Sequence, residues 1–304
     1  MPDVVDRTTT DQYGLYGHVR FSLSDPLVLV LGGRVGTWES TTRTELPADQ
    51  ADGTDKIDAK FTPFAGLIYD LDDTTSAYAS YAAVFQPHRS TFRDADGELL
   101  KPLEGHQVEA GVKKELLDGA LSASLALFQV EQENRALLVI VPPQRWYEAQ
   151  GKAQSHGVEL GLVGRLGPGW DVQAEYTYTR TKQRDDSLNT GSALTAIAPR
   201  HTLQLWTNHR LPGAWSRWAV SGAVSARSRF FNEFTIDGAP GRLQQGGYAT
   251  VDARVAYHLT KNVSVDLAVT NLFDKVYYQR INNLNSGNLF GDPRAFMLSV
   301  RTKL

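Results

Sequence analysis

The groups that could do chemistry are present in this chain but are not assembled into a known constellation. Seven histidines stand at 18, 88, 106, 156, 201, 209 and 258, none at paired metal-ligand spacing, so they read as structural or solvated side chains. There is no Gly-x-Ser-x-Gly elbow, no His-Glu-x-x-His pair and no phosphate-binding glycine loop. Gly157, Gly161, Gly164, Gly167 and Gly169 fall on a strand and its turn, and a nucleotide loop would need a following helix. Asn262-Val263-Ser264 matches a glycosylation sequon but lies in an expected tight turn. Zero cysteine excludes a thiol nucleophile, a thiolate metal site and a disulfide scaffold. No catalytic residue and no metal ligand is assigned, and enzyme activity is not expected.

The remaining charges do show order. Glu109, Lys113, Glu159, Arg165, Glu175, Asp252, Arg254 and Asp266 all take the polar parity of segments that alternate apolar and polar residues. Such positions need a wet face, because an Arg or Lys on lipid near the bilayer midplane costs roughly 2–4 kcal/mol. The elements that carry them must therefore be strands. From Ala249 to Leu259 one parity is Ala249, Val251, Ala253, Val255, Tyr257, Leu259; the other is Thr250, Asp252, Arg254, Ala256, His258. Trp170–Tyr178 and Val263–Val269 alternate in the same way. Successive strand side chains point to opposite faces, so each segment has one apolar and one wet side.

About 13 strands are predicted, near 12–24, 27–38, 60–71, 74–86, 103–116, 120–132, 153–166, 169–181, 200–211, 216–229, 247–259, 262–272 and 293–304. Most exceed the five or six residues usual in soluble sheets and match the roughly 9–11 needed to cross a bilayer at a tilt. Connections alternate. Short turns fall at Ser24-Asp25-Pro26, 70–74, Leu117-Asp118-Gly119, Gly167-Pro168-Gly169, Leu211-Pro212-Gly213 and Thr260-Lys261-Asn262. Long polar connections fall at 39–59, 87–102, 133–152, 182–199, 230–246 and 273–292. Loops long on one side and short on the other are the pattern of outer-membrane barrels. Trp170, Trp215 and Trp218 beside short turns, and Tyr277 and Tyr278 on the long-loop side, are expected in the two interfacial girdles.

Composition agrees. The 304 residues are 41% hydrophobic with a net charge of −3, which gives no footprint for nucleic acid. The longest apolar runs, Leu27–Leu31 and Ala136–Val141, are too short for a membrane helix, and Met1-Pro-Asp-Val-Val-Asp-Arg is not a secretory signal.

The stretch Asn271-Leu272-Phe273-Asp274-Lys275-Val276-Tyr277-Tyr278, followed by Gly291-Asp292-Pro293-Arg294 and Leu298-Ser299-Val300-Arg301, resembles the C-terminus of TonB-dependent outer-membrane receptors, particularly the ferric-siderophore branch. Gln12–Tyr16, Lys60–Asp70, Tyr78–Pro87 and Gly157–Leu160 resemble the same family. The resemblance implies an all-β fold: an antiparallel transmembrane β-barrel in a Gram-negative outer membrane. Residues 1–304 would be the last 13 of 22 strands, one barrel domain without plug, TonB box or signal. The chain ends in Leu304, where the family usually ends in an aromatic read by the barrel assembly machinery.

The implied function is the barrel portion of a ferric-siderophore receptor, not transport-competent alone. Its implied partners are the ferric siderophore, outer-membrane lipid, the assembly machinery, and the TonB complex through the missing N-terminal regions. No cofactor is implied; iron arrives already wrapped by its chelator. Family members bind such chelates largely through rings and a few polar groups. That points to Trp146, Tyr147, Arg229, Phe230, Phe231 and Phe290 as ligand contacts. The inward charges would meet plug groups or water. Two other readings stay open: a self-contained passive porin, and a soluble β-rich binding module. The first must close its sheet, because an unpaired ten-residue edge in hydrocarbon costs on the order of tens of kcal/mol.

Overall fold

The computed structural model describes residues 5–46, 53–89, 91–184, 198–236, 239–282 and 287–303. Most of the expected 182–199 connection lies outside them. One antiparallel sheet of 13 strands dominates. It comprises β1 (Val5–Ser24), β2 (Leu27–Leu46), β3 (Gly53–Asp72), β4 (Thr75–Gln86), β5 (Leu103–Leu116), β6 (Leu121–Val141), β7 (Gln144–Gly167), β8 (Trp170–Arg184), β9 (His201–Arg210), β10 (Trp218–Arg227), β13 (Tyr248–His258), β14 (Val263–Thr270) and β17 (Ala295–Thr302). Two small hairpins interrupt it: β11 (Phe230–Ile236) with β12 (Ala239–Gln245), and β15 (Tyr278–Arg280) with β16 (Leu289–Phe290). Strand order otherwise follows the chain, each strand pairing with its predecessor, from β1 at one edge to β17 at the other.

Register carries the alternation across the whole sheet. Leu67, Ala79, Ala110, Leu127, Val158 and Tyr178 stand opposite one another in sequence from β3 to β8. Val220, Val255, Leu267 and Leu298 do so from β10 to β17. The other face carries Asp171, Asn208, Ser221 and Arg254 in one row. There Ser221 Oγ donates to Asn208 Oδ1 at 2.9 Å. Among the described residues no second layer covers the apolar rows: Leu127 is 57% exposed and Leu298 71%. Apolar rows of this extent, left open on a single sheet, need a solvent of hydrocarbon.

The apolar band has an upper limit. Above Leu127, Val158 and Tyr178 the same parity turns polar, as Gln129, His156, Arg180 and then Glu131, Gln154, Lys182. Gln154 Nε2 and Gln129 Nε2 both donate to Glu131 Oε1, at 2.9 and 3.0 Å. β7 has 24 residues, roughly 80 Å at about 3.3 Å per residue, against an apolar band about 25 Å tall. Much of the β6–β7 hairpin therefore stands in water.

This corrects two expected loops. Residues 133–152 are the upper β6–β7 hairpin, turned at Pro142-Pro143, and the ends of 39–59 extend β2 and β3. Their strand signal is weak because alternation is lost, both parities being polar in 39–59 and apolar in Ala136–Val141, although the ladder continues. Exposed threonines line it, with Thr8 facing Thr42 and Thr41 facing Thr54 at 3.2 Å between hydroxyls. The expected loop 230–246 is likewise the β11–β12 hairpin.

Rings mark both edges of the band. Near the short turns Trp170 packs on His209, with centroids 5.3 Å apart, and Trp218 on Tyr257 at 4.7 Å. Trp215 is exposed in a short 3-10 turn, Gly213–Trp215. At the upper edge Tyr81 stacks on His106 at 5.8 Å and Tyr178 meets His201 at 4.9 Å. Tyr277 and Tyr278 belong to neither girdle. They pack into a loop core, because buried apolar partners await them there.

Candidate ligand-capture face and loop cap

The polar face is a wall of charge and hydroxyl groups. Tyr78 lies flat over Gly111, where an added Cβ would meet the ring at 2.7 Å. The close approach lets its hydroxyl donate to Glu109 Oε1 at 2.6 Å, while Lys113 Nζ sits 5.3 Å from the ring centroid. Gln107 Nε2 donates to the second oxygen, Glu109 Oε2, at 3.1 Å. Glu159 and Glu175 share this face. Nearer the β13–β14 turn, Asp266 is 1% exposed between Arg254 Nη2 at 3.2 Å and Arg301 Nε at 3.6 Å. The registers place Glu109, Lys113, Glu159, Arg165, Glu175, Asp252, Arg254 and Asp266 all on the polar side. Among the described residues no three His, Asp or Glu groups converge as a metal site.

Two ring clusters stand at the long-loop end. In the first, Tyr147 stacks on Phe92 with centroids 4.3 Å apart, and its N–H donates to Arg93 O at 2.8 Å. Arg93 Nη2 donates to buried Asp55 Oδ2 at 2.7 Å. The 87–102 segment is thereby tied to both the β2–β3 and β6–β7 hairpins. Trp146 is half-buried, with Nε1 donating to Glu148 Oε1 at 3.1 Å. As strand neighbours, Trp146 and Tyr147 point to opposite faces of β7, so the structure does not bring them together on one surface.

The second cluster is the one true apolar core among the described residues. Phe230, Tyr248 and Ile281 are buried, with Leu243, Tyr277 and Tyr278 packed on them. Tyr278 N–H donates to Gln245 Oε1 at 2.8 Å, fastening the two inserted hairpins together. Tyr248 has the parity of Asp252 and Arg254, so this cap is rooted on the polar face. Phe230, expected at the ligand, is 2% exposed and offers no surface to one; an apolar ring beside Ile281 gains more by burial. Arg229 is exposed. Phe231 is half-buried beneath Arg242, whose guanidinium lies 3.5 Å from the ring centroid. Phe290 stacks on Tyr278 at 4.5 Å and remains 61% exposed.

The C-terminal signature residues sit at the root of this cap. Asn271, at φ 48°, is buried, and Leu272 N–H donates to Val251 O at 2.7 Å. Phe273 is exposed. Asp274 Oδ1 accepts the Arg294 N–H at 3.0 Å, and Arg294 Nη1 donates to Leu272 O at 3.4 Å. Pro293, which has no N–H to give, leads into this return. Sequence reading missed Phe92, Leu243 and Ile281, and took Asp252 only as one more inward charge. Only Asn271 carried a signal, as an Asn directly after a strand.

Comparison with known proteins accounts for this arrangement. The family described as TonB dependent receptor-like, beta-barrel, matches residues 2–272. The ferripyoverdine receptor of Pseudomonas aeruginosa is 37% identical over 302 residues, covering 96% of this chain and 35% of the relative. The ferric-pyoverdine M114 receptor of Pseudomonas sp. (strain M114) is 35% identical over 303 residues, covering 95% and 36%. The crystal structure of the outer-membrane ferripyoverdine receptor of P. aeruginosa bound to ferripyoverdine gives a TM-score of 0.84 at 34% identity, covering 97% of this chain and 39% of that one. The chain thus spans little more than a third of the length of these relatives. On these matches, the open apolar rows and the capped polar wall, the chain belongs to the TonB-dependent receptor family and is part of its outer-membrane β-barrel.

Proposed function

We propose that this chain forms the lipid-facing wall and outer loop cap of a ferric-siderophore receptor, with a pyoverdine-type ferric chelate as cargo. The observation that supports it most is the ring cap rooted on the polar face at the long-loop end. The names of the relatives, ferric-pyoverdine receptors at 35% and 37% identity, supply the cargo class. A chelate presents rings and amide or hydroxyl groups outward, so capture asks for aromatic surface and a few donors. Phe290, Phe231 with Arg242, and Arg229 are the proposed contacts on the cap, supported from below by Phe230; Trp146 and Tyr147, on opposite faces of β7, supply at most one contact between them. In this reading the protein is a receptor rather than an enzyme. Energy coupling to TonB and insertion by the barrel assembly machinery belong to the same proposal.

The test is direct. A full-length receptor that contains this chain, in outer-membrane preparations titrated with ferric pyoverdine, is expected to show saturable quenching of its tryptophan fluorescence, and Phe290→Ala is expected to weaken it. Absence of saturable binding by any ferric chelate overturns the proposal.

A further inference from the structure

The chain leaves β14 at Asn271 and returns to β17 at Ala295, and one side chain holds both ends of that excursion. Asn271 Nδ2 donates to Lys275 O and to Asp292 O, each at 3.0 Å. Its Oδ1 accepts the Lys275 N–H at 2.9 Å. Its own N–H donates to Asp252 Oδ1, on the polar face of β13, at 2.7 Å. Both amide donors are used, and the residue is 5% exposed. Between the clipped ends lie Tyr277, Tyr278, Ile281 and Phe290, the rings and apolar group of the cap.

Few other residues could do this. Asn tolerates a positive φ better than most side chains. Asp would turn an acceptor toward the two carbonyl oxygens. Ala would leave both carbonyls and the Lys275 N–H without these partners. The clip also joins the cap to the sheet at a single acidic group, Asp252, on the same face of β13 as Tyr248 and Arg254.

We infer that Asn271, held by Asp252, is the positioning residue of the capture cap: it sets Tyr278 and Phe290 over the polar face and does not itself touch the chelate. This rests on the ferric-siderophore reading above. In a purified full-length receptor that contains this chain, Asn271→Gly keeps the backbone conformation accessible and removes the amide. It is expected to weaken ferric pyoverdine binding about tenfold and to speed amide exchange over residues 277–281, with heat-modifiability of the barrel unchanged. Asp252→Ala is expected to follow it. Asp252→Asn, which keeps an Oδ1 acceptor, is expected to restore slow exchange and binding. Wild-type exchange and affinity in both Asn271→Gly and Asp252→Ala overturn the inference, as does equal loss in Asp252→Asn and Asp252→Ala. If Asn271→Gly fails to assemble, the Asp252 pair decides. If the wild-type protein binds no chelate, the function proposal fails, and exchange over 277–281 still decides whether the clip positions the cap.

Discussion

The rings of Tyr248 and Tyr277 stack with centroids 4.3 Å apart and planes 25° from parallel. One belongs to a strand of the wall and the other to the connection after β14, so this contact is where the outer loops meet the barrel. Aromatic pairs of this kind contribute about 0.5–1.5 kcal/mol beyond the area they bury. A double-mutant cycle with Tyr248→Leu and Tyr277→Leu is expected to give a coupling in that range, read from exchange protection at Ile281. A coupling near zero would show that this ring pair adds nothing to the docking of the loop.

The apolar row from Leu67 to Tyr178 faces hydrocarbon. Leu127 lies in it between Ala110 and Val158. Leu125, one apolar row deeper in the band and opposite Val112 and Leu160, is the test position: Leu125→Arg is expected to destabilise the inserted barrel by roughly 2–4 kcal/mol. Gln173→Arg, on the polar parity of β8, is expected to cost far less. Denaturant titration in phospholipid vesicles measures both; equal losses would mean that the faces are misassigned.

The sheet was legible because one physical constraint repeats on every strand. Where one side meets lipid and the other water, Val, Leu and Tyr must alternate with Asp, Gln and Thr, and 13 strands could be counted from that alone. Legibility ended where the constraint did. Residues 133–141 and 144–152 are paired strand, but neither alternates: Ala136–Val141 is apolar on both parities and 144–152 is mixed on both, so parity gives no strand there. The cap was less legible still. Phe230 and Phe290 are both phenylalanines in polar connections, and only the partner Ile281, some fifty residues away from Phe230, decides that one is buried and the other free. Asp252 read as one more inward charge; its bond to the Asn271 N–H depends on a turn geometry that parity does not encode.

The β3–β4 turn is fixed by a carboxylate. Thr74 donates to Asp72 Oδ1 through its hydroxyl at 2.7 Å and its N–H at 2.8 Å. Led by the hydroxyl bond, these hold the Asp72 pKa down at about 2, below its ordinary 3.8. A group depressed in the folded state stabilises it fully above the ordinary value, and that contribution fades as pH falls through about 2. Thr74→Val removes the hydroxyl and leaves the N–H. The Asp72 carboxyl is then expected to titrate part of the way back toward 3.8, as followed by its carbon chemical shift in micelles. An unmoved titration would assign the shift to the N–H alone.

The two sheet edges set the last expectation. β1 pairs with β2 along its length, and no described strand pairs with its other side; β17 is likewise bonded only to β14. About half of the N–H and C=O groups on an edge strand point away from its neighbour. Over a ten-residue crossing that leaves about five of each, and each costs several kcal/mol in hydrocarbon. The total exceeds the roughly 5–15 kcal/mol by which folded proteins are usually stable. These 304 residues expressed by themselves are therefore expected to associate, or to leave the bilayer, rather than persist as a single open sheet. Light scattering after detergent extraction, with gel mobility before and after heating, measures this. A monodisperse, heat-modifiable monomer would mean that β1 and β17 find each other and close a 13-strand barrel, and the passive-channel reading would then regain its footing.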